Sequence, residues 1–364
     1  MTYYIFYILS SIISIGTIFK STNKIAILLL SIGLSLFAGL RGPFVDRDYL
    51  NYYYLWFMDF QNISYYFFEP IPKLIFSIYK SIDAKFYFPL ITFAFFSIWL
   101  KLKVVRVFDY NIPVFVTIYV GYFFFQHDMT QVRLALALGL YYISFRYFVE
   151  NKKLSLIFLF FSVLTHGSTV IFAISRIRLL SDNLLMLLLF TIMVYLLNLM
   201  GLDLTGIVKI IIGLLPYFEK YLFYFTGEWS QQKINVFSAV NVSFIIFISF
   251  AVIFVNRYDN NNVHIKNALV CGLLGLISIP LFSSIPVISF RLSQVYLCFI
   301  PFISSYLYTN IMRFFFNRNP YVKLLFGSFI YLVFLGYGII LMYIVIFNSE
   351  ILQPYVTILT ESIE

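Results

Sequence analysis

The sequence predicts an all-α fold, a polytopic transmembrane helical bundle of about 10 to 12 spans, and three observations carry that expectation. The residues are 62% hydrophobic and 11% charged, with a mean hydropathy of +0.91, whereas soluble domains carry about 25% charged residues. Apolar runs of about 17 to 25 residues, each long enough to cross roughly 30 Å of hydrocarbon, recur along the whole chain. Helix is the conformation open to such runs, because lipid offers no hydrogen-bond partners to an open strand edge.

Ten spans are read near 3–19, 25–40, 87–105, 111–126, 131–149, 184–200, 237–255, 267–284, 290–308 and 322–347. The N-terminal MTYYIFYILSSIISIGTIFK lacks the basic stretch of a cleaved signal peptide and is expected to stay as the first span. The segment 154–180 reads in two ways. If it enters the membrane and returns, hinged near His166-Gly167, fifteen of the 25 Lys and Arg residues fall on the cytoplasmic side, among them Lys101, Lys103 and Arg106. Both ends then lie outside. The alternative makes 154–174 a full span and sends 203–219 across as well, giving twelve. With no internal repeat or linker visible, one membrane domain over 1–364 is the simplest partition, with outer loops near 41–86 and 201–235.

The net charge of +9 sits in short clusters between apolar runs, which marks topology and not nucleic-acid binding. Cys271 and Cys298 both lie in apolar runs and read as buried thiols, with neither a disulfide framework nor a thiolate metal site. No P-loop, GxGxxG or zinc-ligand spacing is present, so no cofactor is expected, and any catalysis is expected to be metal-independent.

Charges near membrane depth are costly, so each is a functional candidate. Arg41, Asp46, Arg47, Asp48 and Glu69 gather in the first outer loop among Tyr49, Tyr52, Tyr53 and Tyr54. His127, Asp128, Gln131 and Arg133 open the fifth span, and Arg291 follows the Ser283-Ser284-Ile285-Pro286 turn. His166 lies about thirteen residues beyond Lys153, roughly 20 Å from the cytoplasmic edge. Arg133, His166 and Arg291 should therefore share the outer half of the bundle with a carboxylate-rich loop, as in an anion pocket flanked by an acid or base. Arginine suits pyrophosphate because its planar fork bonds two oxygens and stays charged. The plainer readings are snorkelling for Arg291, snorkelling or pairing with Asp128 for Arg133, solvated ion pairs in the loop, and a helix-contact role for His166.

Four stretches resemble the bacterial Wzy-type polysaccharide polymerases, and within them the EpsG-like group. LRGPFVDRDYLNYYYLWF resembles an arginine followed by a Gly-x-Asp-aromatic-x-x-Tyr signature, with Asp48, Tyr49 and Tyr52 matching and Asp46 where glycine is common. FFEPIPKLIF resembles the Glu-containing segment that follows. MTQVRLALALGLYYISFRYFVENKKLSLIFLFFSVLTHGSTVIF is similar to an Arg-headed Ala-rich span, a basic turn and a span ending in His, and ISFRLSQVYLCFIPF to a late Arg-headed span.

The resemblance implies a GT-C-like multispan glycosyltransferase of the bacterial inner membrane, acting on its outer face. It would polymerise oligosaccharide repeat units carried on undecaprenyl pyrophosphate. Arg41, Arg133 and Arg291 would bind the pyrophosphate. The base would be Asp48 or Glu69 ahead of His166, which could equally bond the pyrophosphate. Tyr49, Tyr52 and Gln131 would hold sugar. The implied partners are the lipid-linked oligosaccharide, membrane lipid, a chain-length regulator and a repeat-unit flippase, and no nucleic acid. Competing readings are an O-antigen ligase-like transferase and a flippase or other transporter; a transporter should show paired repeats and midplane charges in both halves. Aspartate at 46 raises a backbone question, since glycine adopts positive φ more readily.

Overall fold

The computed structural model describes residues 1–19, 21–57, 69–201, 234–316, 320–348, 352 and 354–358. Among the described residues six helices are long and apolar enough to cross a membrane, and four shorter apolar helices accompany them. These ten coincide with the ten runs read from the sequence. The chain divides into two compact units, the first Met1–Val170 with Ser304–Glu364, the second Ile171–Ile303.

The first unit contains α1 (Thr2–Ile15), α2 (Asn23–Gly39), α3 (Tyr49–Phe57), α4 (Pro70–Ser81), α5 (Tyr87–Val107), α6 (Ile112–Ile118), α7 (Val132–Glu150) and α8 (Lys152–Thr165). Polar residues inside these apolar helices serve their own backbone: Ser10, Ser11, Ser14 and Thr17 are buried and donate to carbonyls three or four residues back. Small residues let helices approach closely, as is usual in membranes. A Cβ on Gly39 of α2 would lie 2.7 Å from the Ile91 backbone nitrogen of α5, and one on Gly139 of α7 3.0 Å from Ser97 Cα. Ser97 also donates to the Ala135 carbonyl at 2.8 Å, fixing α5 beside α7.

The register of α7 against α8 is set by two hydroxyls. Ser155 donates to the Ser144 carbonyl and Ser162 to the Ala137 carbonyl, each at 2.7 Å. Seven residues forward on α8 therefore match seven back on α7, so the helices run antiparallel in a fixed register. Four residues further on each helix, His166 comes level with Arg133.

Between α6 and α7 the chain widens into π-helical turns, Tyr119–Phe123 and Phe125–Thr130. Gly121 there meets Gly338 of the last helix, where an added Cβ would lie 2.6 Å from a carbonyl oxygen. That last helix, α16 (Pro320–Tyr343), follows α15 (Ile300–Phe315).

A 3-10 turn (Gly167–Ile171) ends this part of the first unit, and the second unit contains α9 (Phe172–Ser175), α10 (Arg178–Asp182), α11 (Leu184–Leu199), α12 (Ala239–Tyr258), α13 (Val263–Leu281) and α14 (Pro286–Leu297). α13 is its core. An added Cβ on Gly272 would meet Ile248 and one on Gly275 would meet Leu297, each at 2.8 Å. The break expected at His166-Gly167 is present: α8 stops at Thr165, His166 is extended at φ −156, and Gly167 opens the 3-10 turn.

One expectation is corrected: Lys101, read as part of a cytoplasmic basic cluster, is 1% exposed inside the first unit. The backbone question raised at Asp46 is answered without a positive φ at that residue; in this loop the positive φ is at Phe44, 68°.

Candidate functional site

The first outer loop and the start of α7 converge at one end of the first unit. On α3, Tyr49, Tyr52 and Trp56 repeat on one face and bury against Phe76 of α4, Phe86, Leu90 and Phe93 at the start of α5, and Val132 and Leu136 of α7. This aromatic packing carries the loop onto the helices. Glu69 immediately precedes α4, where Pro70 begins the helix. Arg133 is the second residue of α7.

Arg133 Nη1 donates to Glu69 Oε2 at 2.6 Å, and each side chain keeps 23% of its surface exposed. The Arg133 guanidinium carbon lies 5.8 Å from the centre of the Tyr52 ring. Burial pushes the Tyr52 phenol up, with Arg133 pulling the other way. The Glu69 carboxylate thus sits against an arginine fork that favours an anion. Asp48, half-buried, stands just before α3, its backbone N–H donating to Asp46 Oδ1 at 2.9 Å. Gln131 ends the π-helical segment, and its carbonyl accepts from Ala135 at 2.9 Å. His166, level with these groups by register, has Nδ1 2.8 Å from Ser168 Oγ.

Arg41 is placed otherwise. It is fully buried, paired with Asp46 through Nε and donating from Nη1 to the Ala38 carbonyl at 2.7 Å. Its guanidinium carbon stands 5.7 Å from the centre of the Tyr49 ring, and Tyr49 is itself fully buried. The Arg41–Asp46 pair is therefore an internal brace and not the solvated ion pair that the loop suggested. A late segment covers it: Arg41 bridges Thr357, Gly42 N–H donates to the Val356 carbonyl at 2.8 Å, and Tyr355 donates to the Phe37 carbonyl at 2.8 Å.

Sequence reasoning missed a second cluster behind this one. Lys101 Nζ reaches Ser97 Oγ at 2.6 Å, Tyr119 OH at 2.9 Å and Asp128 Oδ2 at 3.8 Å, and Tyr119 donates to Asp128. Arg133 is thus paired with Glu69, while Asp128 belongs to Lys101. The signal was available in principle: an aspartate near membrane depth needs a cation, and Ser97 and Lys101 lie one turn apart on α5. The cluster ties the π-helical turns to α5, directly before Gln131 and Arg133.

Arg291 lies in the second unit, exposed on α14 and in no ion pair among the described residues. Most of the outer segment read at 201–235, and residues 58–68 of the first outer loop, lie outside the described residues.

The EpsG family matches the chain over residues 24–357. Neither the curated proteins nor the solved structures yielded a match.

Proposed function

The chain belongs to the EpsG family, which implies a glycosyltransferase-type polysaccharide polymerase of the membrane, and from that premise we propose that it joins oligosaccharide repeat units carried on undecaprenyl pyrophosphate at the Glu69–Arg133 site. The 2.6 Å contact between these two residues is the observation that carries this reading. In the resting protein the carboxylate occupies the arginine fork. A pyrophosphate entering the fork displaces it, so binding of the donor frees the base.

The acceptor hydroxyl oxygen then attacks the anomeric carbon of the donor sugar. The bond from that carbon to the pyrophosphate oxygen breaks, its electron pair leaves with the pyrophosphate, and the hydroxyl proton passes to Glu69. Arg133 stabilises the departing charge, which preorganised donors do best in a site of low dielectric. Proton removal by a placed carboxylate supplies the second contribution. Asp48 is the alternative base, His166 a partner for the pyrophosphate and Gln131 a sugar contact, whereas Tyr49 and Tyr52, 0% and 4% exposed, serve the packing of the loop.

The outward orientation rests on charge. Lys103 and Arg106 at the end of α5, Arg146 near the end of α7, and Lys152 and Lys153 at the start of α8 lie at the end of the first unit opposite the site. By the positive-inside rule that end is cytoplasmic.

The test is reaction of purified protein with a lipid-linked repeat unit. A ladder of products that disappears in Arg133→Ala supports the reading. A ladder unchanged in Arg133→Ala and in Glu69→Gln removes this site from the reaction.

A further inference from the structure

The first unit carries a second polar concavity, at the opposite end of α5 from Glu69 and Arg133. From Leu90, beside the site, to Arg106 is about 24 Å along the helix at 1.5 Å per residue, close to a bilayer's hydrocarbon thickness. A cavity of about 1020 Å³ opens there between the end of α1, the start of α2, the α5–α6 turn, the end of α15 and the first half of α16.

Its walls are of two kinds. Arg106, Arg313 and Lys323 supply three cations, and Asp109 is the acidic residue among the described lining. None of the four forms an ion pair among the described residues, so a positive excess faces the cavity. The Asn23 carboxamide adds Oδ1, buried and without a hydrogen-bond partner among the described residues. The remaining lining includes Ile15 and Leu324, whose side chains also lie on the exposed apolar surface, 40% and 71% exposed. Cations and an unserved carboxamide at one end of an apolar wall match an amphiphile: a phosphate for the cations, a hydroxyl to serve the amide, and a chain that leaves into the bilayer.

We propose that this cavity is a binding site for an anionic glycerophospholipid of the leaflet at the basic end, with the phosphodiester held by Arg106, Arg313 and Lys323 and a headgroup hydroxyl donating to Asn23. Basic pockets between helices on the cytoplasmic side hold lipid headgroups by this combination of charge and apolar surface. The site is separate from the polymerisation chemistry and does not depend on it.

Native mass spectrometry of the full chain, released from bilayers of equal phosphatidylglycerol and phosphatidylethanolamine, tests the proposal. The expected result is retention of phosphatidylglycerol over phosphatidylethanolamine, falling roughly fivefold for each of Arg313→Ala and Lys323→Ala. Lys152→Ala with Lys153→Ala, at the same end but outside the cavity, should leave retention unchanged. Equal retention of the two lipids overturns the site, as does an equal loss in the Lys152/Lys153 control. Glycerol phosphate displacing the lipid at matched concentration overturns the lipid assignment in favour of a soluble anion. Each variant is compared at equal monodispersity by gel filtration; if both alanine variants aggregate, Arg313→Gln and Lys323→Gln carry the test, and undiminished retention in these overturns the proposal.

Discussion

The guanidinium of Arg133 and the carboxylate of Glu69 meet at 2.6 Å although 64 positions separate them in the chain. One opens an apolar helix, the other stands at the end of a polar loop, and the partial exposure of both leaves the pair open to exchange for a substrate. Arg133→Ala is expected to lower polymer formation by about 10²–10³-fold, the usual cost of removing a donor aimed at developing charge. Glu69→Gln should cost about 10²–10⁴-fold as the loss of a general base. The combined Glu69→Arg, Arg133→Glu swap separates chemistry from architecture: it should recover thermal stability and not activity, read by melting and by product ladders. Recovery of the ladder in the swap would make the pair structural.

Behind the site, Lys101 and Asp128 form a pair whose side chains are 2% and 0% exposed. Removing one partner leaves an uncompensated buried charge, so Lys101→Met is expected to destabilise the protein by about 3–5 kcal/mol. Lys101→Met with Asp128→Leu should regain most of that loss. Thermal unfolding in a fixed detergent reads both, and equal melting of the single and double variants would contradict the coupling.

The register of α7 on α8 can be checked covalently. With Cys271 and Cys298 replaced, Ser144→Cys paired with Ser155→Cys should form a disulfide under mild oxidation in membranes, because the two native hydroxyl oxygens are 3.4 Å apart. Ser144→Cys paired with Ser162→Cys, two turns out of register, should not. The opposite pattern would move His166 away from the level of Arg133.

Alkaline pH addresses the covered loop. Burial pushes the Tyr49 and Tyr355 phenols up to about 12, with Arg41 opposing in both cases. The folded protein therefore keeps protons that the unfolded chain releases near pH 10. Stability from this source is complete below about pH 10 and declines as pH rises from there to about 12. Tyr49→Phe and Tyr355→Phe should each flatten that decline in a series of melting temperatures; a slope unchanged in both would show that neither phenol governs it.

Much of the architecture was legible because lipid makes composition decisive: a run of apolar residues has one backbone solution, and all ten runs became helices. The break at His166-Gly167 was legible for the same reason, since a glycine after a polar residue in mid-run leaves the helix ladder easily interrupted. Charge partners were harder. Arg133, Asp128 and Glu69 could be ranked as costly, yet pairing is a property of which helices touch. Arg133 turned to Glu69 because the Tyr49–Tyr52–Trp56 face carries the loop inward, and Asp128 turned to Lys101 because π-helical widening brings it to α5. Local sequence shows neither. Lys101 also lies beside Lys103, whose cation stacks on Trp99 with the ammonium 4.0 Å from the ring centre, so two lysines of one apparent cluster have opposite surroundings.

The strand-like contact over the first loop places an order on biosynthesis. Tyr355 bonds Phe37 across 318 positions. At about 5–20 residues per second, the ribosome delivers the second partner between about 15 and 65 seconds after the first. During that interval the loop holding Arg41 and Asp46 lacks its covering segment, although most of the spans have already been made. Completion of this loop is thus a late event in the life of the nascent chain, and a chain stalled in its last helix would carry an inserted bundle whose first loop is still unclosed.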